Sequence, residues 1–288
     1  MAYTRKNQRD LTRTERRKFV GAVLELKRGG VYDDFVRTHI DYYSADGDAG
    51  LRVAHMAPSF LPWHRQYLLE FERSLREVDP TVTVPYWDWT RDNTPAASLW
   101  GEDFMGGNGR RGDLRVMTGP FAYATGNWTI RVGVTDRPFL TRNFGNPANP
   151  IALPTKKELA WATNDRVYDS APWNSTSRTG FRNKLEGWTR ASGNGRWLNH
   201  NRVHRWVGGL MLGGAAVNDP VFWLHHAFVD LVWSRWQAKN PKAAYLPATP
   251  PKPGTAGTGR VVARRERMPP WNVTPADVAG HHHIYRYA

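Results

Sequence analysis

Seven of the ten histidines fall into two groups, His39, His55 and His64 early in the chain and His200, His204, His225 and His226 late in it. His200 and His204 are four residues apart, which puts both rings on one face of a helix, and the later pair His225-His226 can reach the same point from a second helix. Two such groups constrain the fold strongly, because they ask for helices packed with their histidine faces inward. Burying that many imidazoles without nearby carboxylates leaves lone pairs unsatisfied unless metal ions accept them. Neutral nitrogen donors without thiolate suit copper or zinc, and a three-nitrogen set leaves a position open for chemistry.

Composition narrows the rest. Cysteine is absent, which excludes disulfides, iron–sulfur clusters, thiolate ligands and a cysteine nucleophile, and leaves the redox compartment open. With 288 residues, 40% hydrophobic content and 14 tryptophans, the chain can bury a large core, and the expectation is one domain over residues 1–288 because the two histidine groups need each other. The formal charge of +14 is spread along the chain rather than clustered. That argues for a solvated basic surface or an acidic protein partner and against nucleic acid. The start, Met1 to Asp10, has no apolar stretch of the signal-peptide kind, and no run approaches the ~18 apolar residues of a membrane span. The expectation is therefore a soluble chain with no export signal of its own.

Local signals place the helices. Thr12-Arg13-Thr14-Glu15 is a capping box, followed by Phe19, Val20, Val23, Leu24 and Leu26 at helical spacing and a stop at Gly29-Gly30. A second helix is expected from Val31 to about Asp41, with Phe35 and His39 on one face. Leu61, His64, Leu68, Phe71 and Leu75 mark a third, ended by Asp79-Pro80. Thr81 to Trp89 reads as a short extended run and turn. Between Arg91 and Arg196 the chain is rich in Gly, Pro, Asn and Trp, so long ordered loops are expected there, with minor strands and a helix near Thr155 to Asp165. Helices are expected again from Leu198 to Val207, and from Asp219-Pro220 to about Ala238, with Asp219 as cap. Pro247 to Gly259 reads as a loop, and His281-His282-His283 with Tyr285 and Tyr287 as a packed tail. The fold class is mainly α: a central helical bundle around a dinuclear metal centre, long irregular loops and minor strands.

The residues around the histidines carry a resemblance. His39, His55 and His64 within Pro58-Ser59-Phe60-Leu61-Pro62-Trp63-His64-Arg65, then His200-(x3)-His204 and Asp219-Pro220-Val221-Phe222-Trp223-Leu224-His225-His226-(x3)-Asp230, resemble the two copper-binding segments of bacterial, actinomycete-type tyrosinases. These are type-3 dicopper phenol oxidases. Tyr86-Trp87-Asp88-Trp89, Phe181 to Trp188 and Pro270-Trp271-Asn272 extend the likeness along nearly the whole chain. The lack of cysteine agrees with the small actinomycete type, which has no cysteine–histidine thioether.

The resemblance implies two copper ions and O2 as co-substrate, with ortho-hydroxylation of monophenols and oxidation of o-diphenols to o-quinones. It assigns one copper to His39, His55 and His64, and the other to His200, His204 and His226. The family's last ligand precedes the aspartate by four residues, so His226 before Asp230 is chosen; His225 projects about 100° away and is read as packed beside the site. Asp230 is read as an ion-pair or helix-contact residue. Glu186 and Asn201 match family positions proposed to hold a water that takes the phenol proton, although Glu186 by itself reads as a surface acid. Arg205 is expected at the cavity rim, where it could steer acidic substrates, and Ala216 with Gly213-Gly214 in a loop whose small residues leave the entrance open.

The chain departs from the family pattern near the first copper, at Ile40-Asp41-Tyr42-Tyr43 and Val53-Ala54-His55-Met56-Ala57. That leaves preference among monophenol, o-diphenol and o-aminophenol open, and an o-aminophenol oxidase on the same scaffold is one alternative. Two others are a hemocyanin-like O2-binding protein and a dinuclear zinc hydrolase, which would usually include carboxylate ligands. The resemblance further implies a small phenolic substrate and a separate caddie-type helper protein that delivers copper. It leaves a cytoplasmic location and export together with the helper equally open.

Overall fold

The computed structural model describes residues 2–188, 197–255 and 259–288; the parts of the expected loops at 189–196 and 256–258 lie outside the described residues. Along the chain the elements are β1 (Tyr3–Arg5), α1 (Arg13–Arg28), α2 (Val31–Tyr42), β2 (Leu51–Arg52), α3 (Phe60–Val78), α4 (Lys156–Thr163), α5 (Phe181–Glu186), α6 (Asn199–Val207), α7 (Val221–Lys239), β3 (Arg260–Val261) and β4 (Tyr285–Tyr287). The mainly helical expectation holds, and the ends of the expected helices fall within a residue or two of the sequence signals; α5 lies where loops are expected.

Those ends have local causes. Thr12 accepts from the Glu15 backbone N–H while the Glu15 carboxylate reaches back to Thr12 N, closing the capping box of α1. Asp219 lies just outside α7, but its carboxylate accepts from Val221 N at 3.1 Å and so satisfies a free donor of the first turn. The run Thr81 to Trp89 forms no strand; Tyr86 makes a single bridge to Asn7.

At the centre α3 packs on α7. Nearly every residue of α7 from Val221 to Trp236 is buried, as expected of a helix that is apolar on all sides. Helix α1 covers α3 and α2, while α6 packs on α7 and α5 on α6. Phe71 of α3 stacks on Trp223 of α7 with centroids 3.7 Å apart and planes 5° apart, and Trp223 Nε1 donates to the Tyr32 hydroxyl at 3.0 Å. The two-stranded sheets are small. β1 pairs parallel with β4, Tyr3 opposite Tyr285 and Arg5 opposite Tyr287, so the expected packed tail is a strand that ties the two chain ends together.

Buried arginines fasten the helices. Arg5 and Arg65 converge on Asp230 at 3.3 and 2.6 Å, and Arg142 grips both oxygens of Asp219 at 2.7 and 2.8 Å. Asp230 also accepts from the hydroxyls of Tyr285 and Tyr287 at 2.5 and 2.6 Å, in line with its expected ion-pair role. No helix among the described residues is long and apolar enough to cross a membrane.

Candidate metal centre

Three elements bring the first histidine group together. His39 comes from α2 and His64 from the first turns of α3. His55 comes from the loop between β2 and α3, where Ser44 Oγ accepts from His55 N at 3.3 Å and donates to His55 O at 3.0 Å. The His39 and His55 rings lie 5.1 Å apart, those of His55 and His64 5.0 Å, and those of His39 and His64 5.9 Å. The second group comes from α6 and α7, with His200 and His204 rings 4.5 Å apart and His200 and His226 rings 4.9 Å apart. The groups meet where His64 stacks on His226 at 4.2 Å and 16°.

Backbone carbonyls set the chemistry of these rings. His39 Nδ1 lies 2.6 Å from Gly214 O, His64 Nδ1 2.9 Å from Phe60 O, and His204 Nδ1 2.7 Å from Met211 O. A carbonyl can only accept, so each Nδ1 carries the proton and each Nε2 keeps its lone pair. The Nε2 atoms of His39, His64 and His204 are all buried without a partner. His200 Nε2 faces His226 Nε2 at 3.3 Å, while His200 Nδ1 is held by Asn201 Oδ1 at 2.9 Å. Burial holds all these rings neutral: it lowers His39 and His204 to about 4, and His55, His64, His200 and His226 well below the ordinary histidine range. Unprotonated nitrogens converging on two points, with no other partner, are what a pair of metal ions requires.

His225, read from the sequence as packed beside the site, comes within reach of the second group itself. One of its nitrogens lies within 4.8 Å of those of His200, His204 and His226, and its ring stacks on His200 at 5.0 Å and 18°. The helix does turn it away from the first group, toward Trp89 at 6.5 Å, and both its nitrogens are buried without partners.

Comparison with known proteins places this geometry. Residues 29–239 match the common central domain of tyrosinase. The chain is 54% identical to a tyrosinase of Streptomyces glaucescens over 98% of both chains. It is 43% identical to grixazone synthase of Streptomyces griseus subsp. griseus over 100% of this chain and 99% of that one. The chain belongs to the tyrosinase family. Among solved structures, a polyphenol oxidase from Thermothelomyces thermophila shares the fold at a TM-score of 0.62 and 23% identity, over 82% of this chain and 70% of that one.

The tyrosinase family is a type-3 dicopper family that uses O2, and the orphaned Nε2 atoms here fit two coppers. Both groups that could hold a metal are all-histidine among the described residues, which suits copper and speaks against the carboxylate-bearing zinc hydrolase.

Around this tyrosinase-family centre the other expected residues divide. Glu186 is fully buried, which overturns its reading as a surface acid. It is the last residue of α5; its carboxylate accepts from Met56 N at 2.7 Å and from Arg182 Nη1 at 2.8 Å. Burial pushes its carboxyl above the ordinary carboxylate range, with Arg182 opposing. Asn201 Nδ2 is buried without a partner. Arg205 is exposed, with its guanidinium 4.2 Å from the Trp197 ring centroid. Ala216 corrects the expectation of an open rim: it is fully buried, inside the 3-10 turn Gly214–Asn218.

That turn has another use, which sequence reasoning missed. Gly208, Gly209 and Gly213 all adopt positive φ, and a Cβ on Gly209 would lie 2.1 Å from Thr141 O. The glycines let the chain fold back so that the carbonyls of Met211 and Gly214 meet His204 and His39. Their clustering just after a ligand helix is the one sequence signal that could have pointed to this role. Gly187 is similar, at φ 100° with Leu198 O 2.0 Å from where a Cβ would sit, and it brings α5 against the start of α6.

Proposed function

We propose that His39, His55 and His64 hold one copper and His200, His204 and His226 the other, in a phenol oxidase that ortho-hydroxylates monophenols and oxidises o-diphenols to o-quinones. The observation that carries this reading is the set of carbonyl-fixed rings whose Nε2 lone pairs point inward with no partner. Once bound, the copper pair supplies O2 activation and the oxidation of the ring. His226 is preferred to His225 because its Nε2 faces His200 Nε2 and its ring stacks on His64, between the two groups.

The protein's own task is the substrate proton. Glu186 is buried and Asn201 Nδ2 lacks a partner, and both flank His200, which meets Glu186 O at 3.4 Å and Asn201 Oδ1 at 2.9 Å. A water held between the Glu186 carboxylate and Asn201 would take the phenol proton, and burial makes that carboxylate the stronger base. Arg182 and Met56 N fix its orientation, so it need not reorganise. Residues 1–288 act as one unit, since the buried apolar cluster includes side chains from Phe19 to Val278. A caddie-type, copper-delivering helper protein with an acidic contact face suits the +14 charge; it would also carry the chain with it if the enzyme is exported.

The test is copper titration followed by parallel assays with tyrosine, a catechol and o-aminophenol. Two coppers should bind per chain. Glu186→Gln should lower kcat for the monophenol by about 100-fold, the scale of a lost general base, and lower catechol oxidation much less. Equal losses would remove the proton role, and fewer than two coppers in the unmodified protein would remove the central reading.

A further inference from the structure

His55 differs from the other histidines of its group in how its ring is held. The Nδ1 atoms of His39 and His64 meet carbonyls, whereas His55 Nδ1 is buried with no partner. Its aim therefore depends on its backbone, which lies in a loop rather than a helix. The peptide joining His55 to Met56 is pinned at both ends: the His55 carbonyl accepts from Ser44 Oγ at 3.0 Å, and Met56 N donates to the Glu186 carboxylate at 2.7 Å. The next peptide is pinned too, because the Met56 carbonyl accepts from Arg52 Nη1 at 2.7 Å. With both planes fixed, Met56 between them sits at φ 50°, in the left-handed region that disfavours any residue with a Cβ. Such a conformation persists only where its surroundings over-determine it. Here a carboxylate and a guanidinium, both fully buried, do so. Arg182 holds that carboxylate at 2.8 Å and is itself held by Asp169 at 2.8 Å, so the grip on Met56 is rooted in α5. The same helix grips the second group: Asn199, one residue before His200, is at φ 31°, and its Nδ2 donates to Lys184 O at 2.9 Å.

We propose that Glu186 is the latch of the His55 loop: by holding Met56 in a left-handed turn it aims His55 at the metal, and so sets how tightly the first histidine group keeps its copper. This is a positioning role, exerted through Met56 and separate from any hold on a substrate proton. The inference rests on His39, His55 and His64 being the ligands of one copper. Part of the metal's binding is then offset by backbone strain at Met56, and a residue free of that strain makes the latch dispensable. Glycine is such a residue, since without a Cβ it enters the left-handed region at no steric cost. Loss of the Glu186 carboxylate should therefore weaken copper in the native chain and not in a chain carrying Met56→Gly.

The test reads copper affinity rather than turnover. Binding of Cu(I) to the full chain is measured by competition with a coloured chelator, and a His226→Ala background isolates the first group. Glu186→Ala should raise the copper Kd about tenfold, the scale of one side chain's resistance to the left-handed region. Met56→Gly alone should hold copper at least as tightly as the unmodified chain, and Glu186→Ala combined with Met56→Gly should restore the unmodified affinity. Met56→Ala, which loses the thioether but keeps a Cβ, should give no such rescue, so a lost copper–sulfur contact does not account for the result. Glu186→Gln, whose amide oxygen can still accept from Met56 N, should keep copper while the monophenol rate falls, which separates the latch from the proton role. Where Glu186→Ala does not fold, Met56→Val carries the test: a β-branched residue resists the left-handed region most, so the Kd should rise about tenfold or more. An unchanged Kd in Glu186→Ala or Met56→Val overturns the proposal, as does an equal loss on Glu186→Ala with and without Met56→Gly. If the unmodified chain binds no copper at the first group, the ligand assignment fails and the latch with it; if it binds copper and the variants bind it equally well, the latch alone fails.

Discussion

Asp230→Asn is the substitution whose cost the structure defines most closely. One carboxylate oxygen accepts from Arg65 Nε at 2.6 Å; the other accepts from the Tyr285 and Tyr287 hydroxyls at 2.5 and 2.6 Å and from Arg5 Nη1 at 3.3 Å. The amide keeps one acceptor and turns an NH2 toward donors. Arg5 retains Glu72, whereas Arg65 loses its carboxylate and keeps neutral partners such as the carbonyls of Val278 and Ala279. Breaking a buried pair this way costs about 3–5 kcal/mol. For 288 residues the unfolding entropy is about 0.6 kcal/mol/K, so the melting temperature of copper-free protein should drop by about 5–8 °C. The pH dependence gives a second reading. Burial would raise the Asp230 carboxyl, but Arg65 and Arg5 outweigh it and bring it down from 3.8 to about 2. A carboxyl lowered on folding stabilises the protein fully above its unfolded value and loses that contribution as pH falls toward about 2. The shift corresponds to about 2 kcal/mol, and about three-quarters of it should be lost from the gap between the two proteins between pH 4 and pH 2, where the folded carboxyl is half protonated. Tryptophan-fluorescence melts across this range are the assay. A drop below about 2 °C at pH 7, or a gap that does not change with pH, would refute the reasoning.

Two further outcomes follow from the site. His226→Ala should reduce copper from two per chain to one by elemental analysis, while His225→Ala should keep both; loss of copper from the second would make His225 a ligand. Gly187→Ala puts a Cβ 2.0 Å from Leu198 O at φ 100° and should destabilise the fold by about 2–4 kcal/mol in denaturant titration. It should also loosen copper at the His200 side, because α6 begins at that contact; unchanged stability would show that α5 and α6 can separate freely.

What could be read from the sequence was what is local. The cap and stop of α1 lie within a few residues of it, and the i,i+4 spacing of His200 and His204 fixes their shared face whatever surrounds them. Helix α5 was not legible: six residues between Gly180 and Gly187 are too few to show a helical period. Strand β4 has three residues, and its partner stands at the other end of the chain. The carbonyls of Gly214 and Met211 carry no side-chain signature at all, so the groups that fix the histidine tautomers had to be found in three dimensions. His225 is the intermediate case. The 100° step correctly turns it away from the first histidine group, but α6 packs closely enough on α7 for His200 to stack on it all the same.

The arginine surplus acquires a purpose from where its buried members end. Arg65 and Arg5 hold Asp230, one helical turn beyond His226; Arg142 holds Asp219 at the start of the same helix. Arg182 bonds Asp169 and Glu186, and Glu186 in turn bonds the backbone of Met56, next to His55. Each buried pair therefore fixes an element that carries a histidine of the centre. Such pairs contribute little net stability after desolvation, and an apolar replacement could hold the fold as well. Their directional bonds do what apolar packing cannot, which is to hold the ends of α7 and the His55 loop in one register, so that the imidazoles of both groups converge before any metal arrives. The basic charge seen in the sequence is thus divided between a solvated surface and a set of internal fasteners, and the fasteners lead to the histidines.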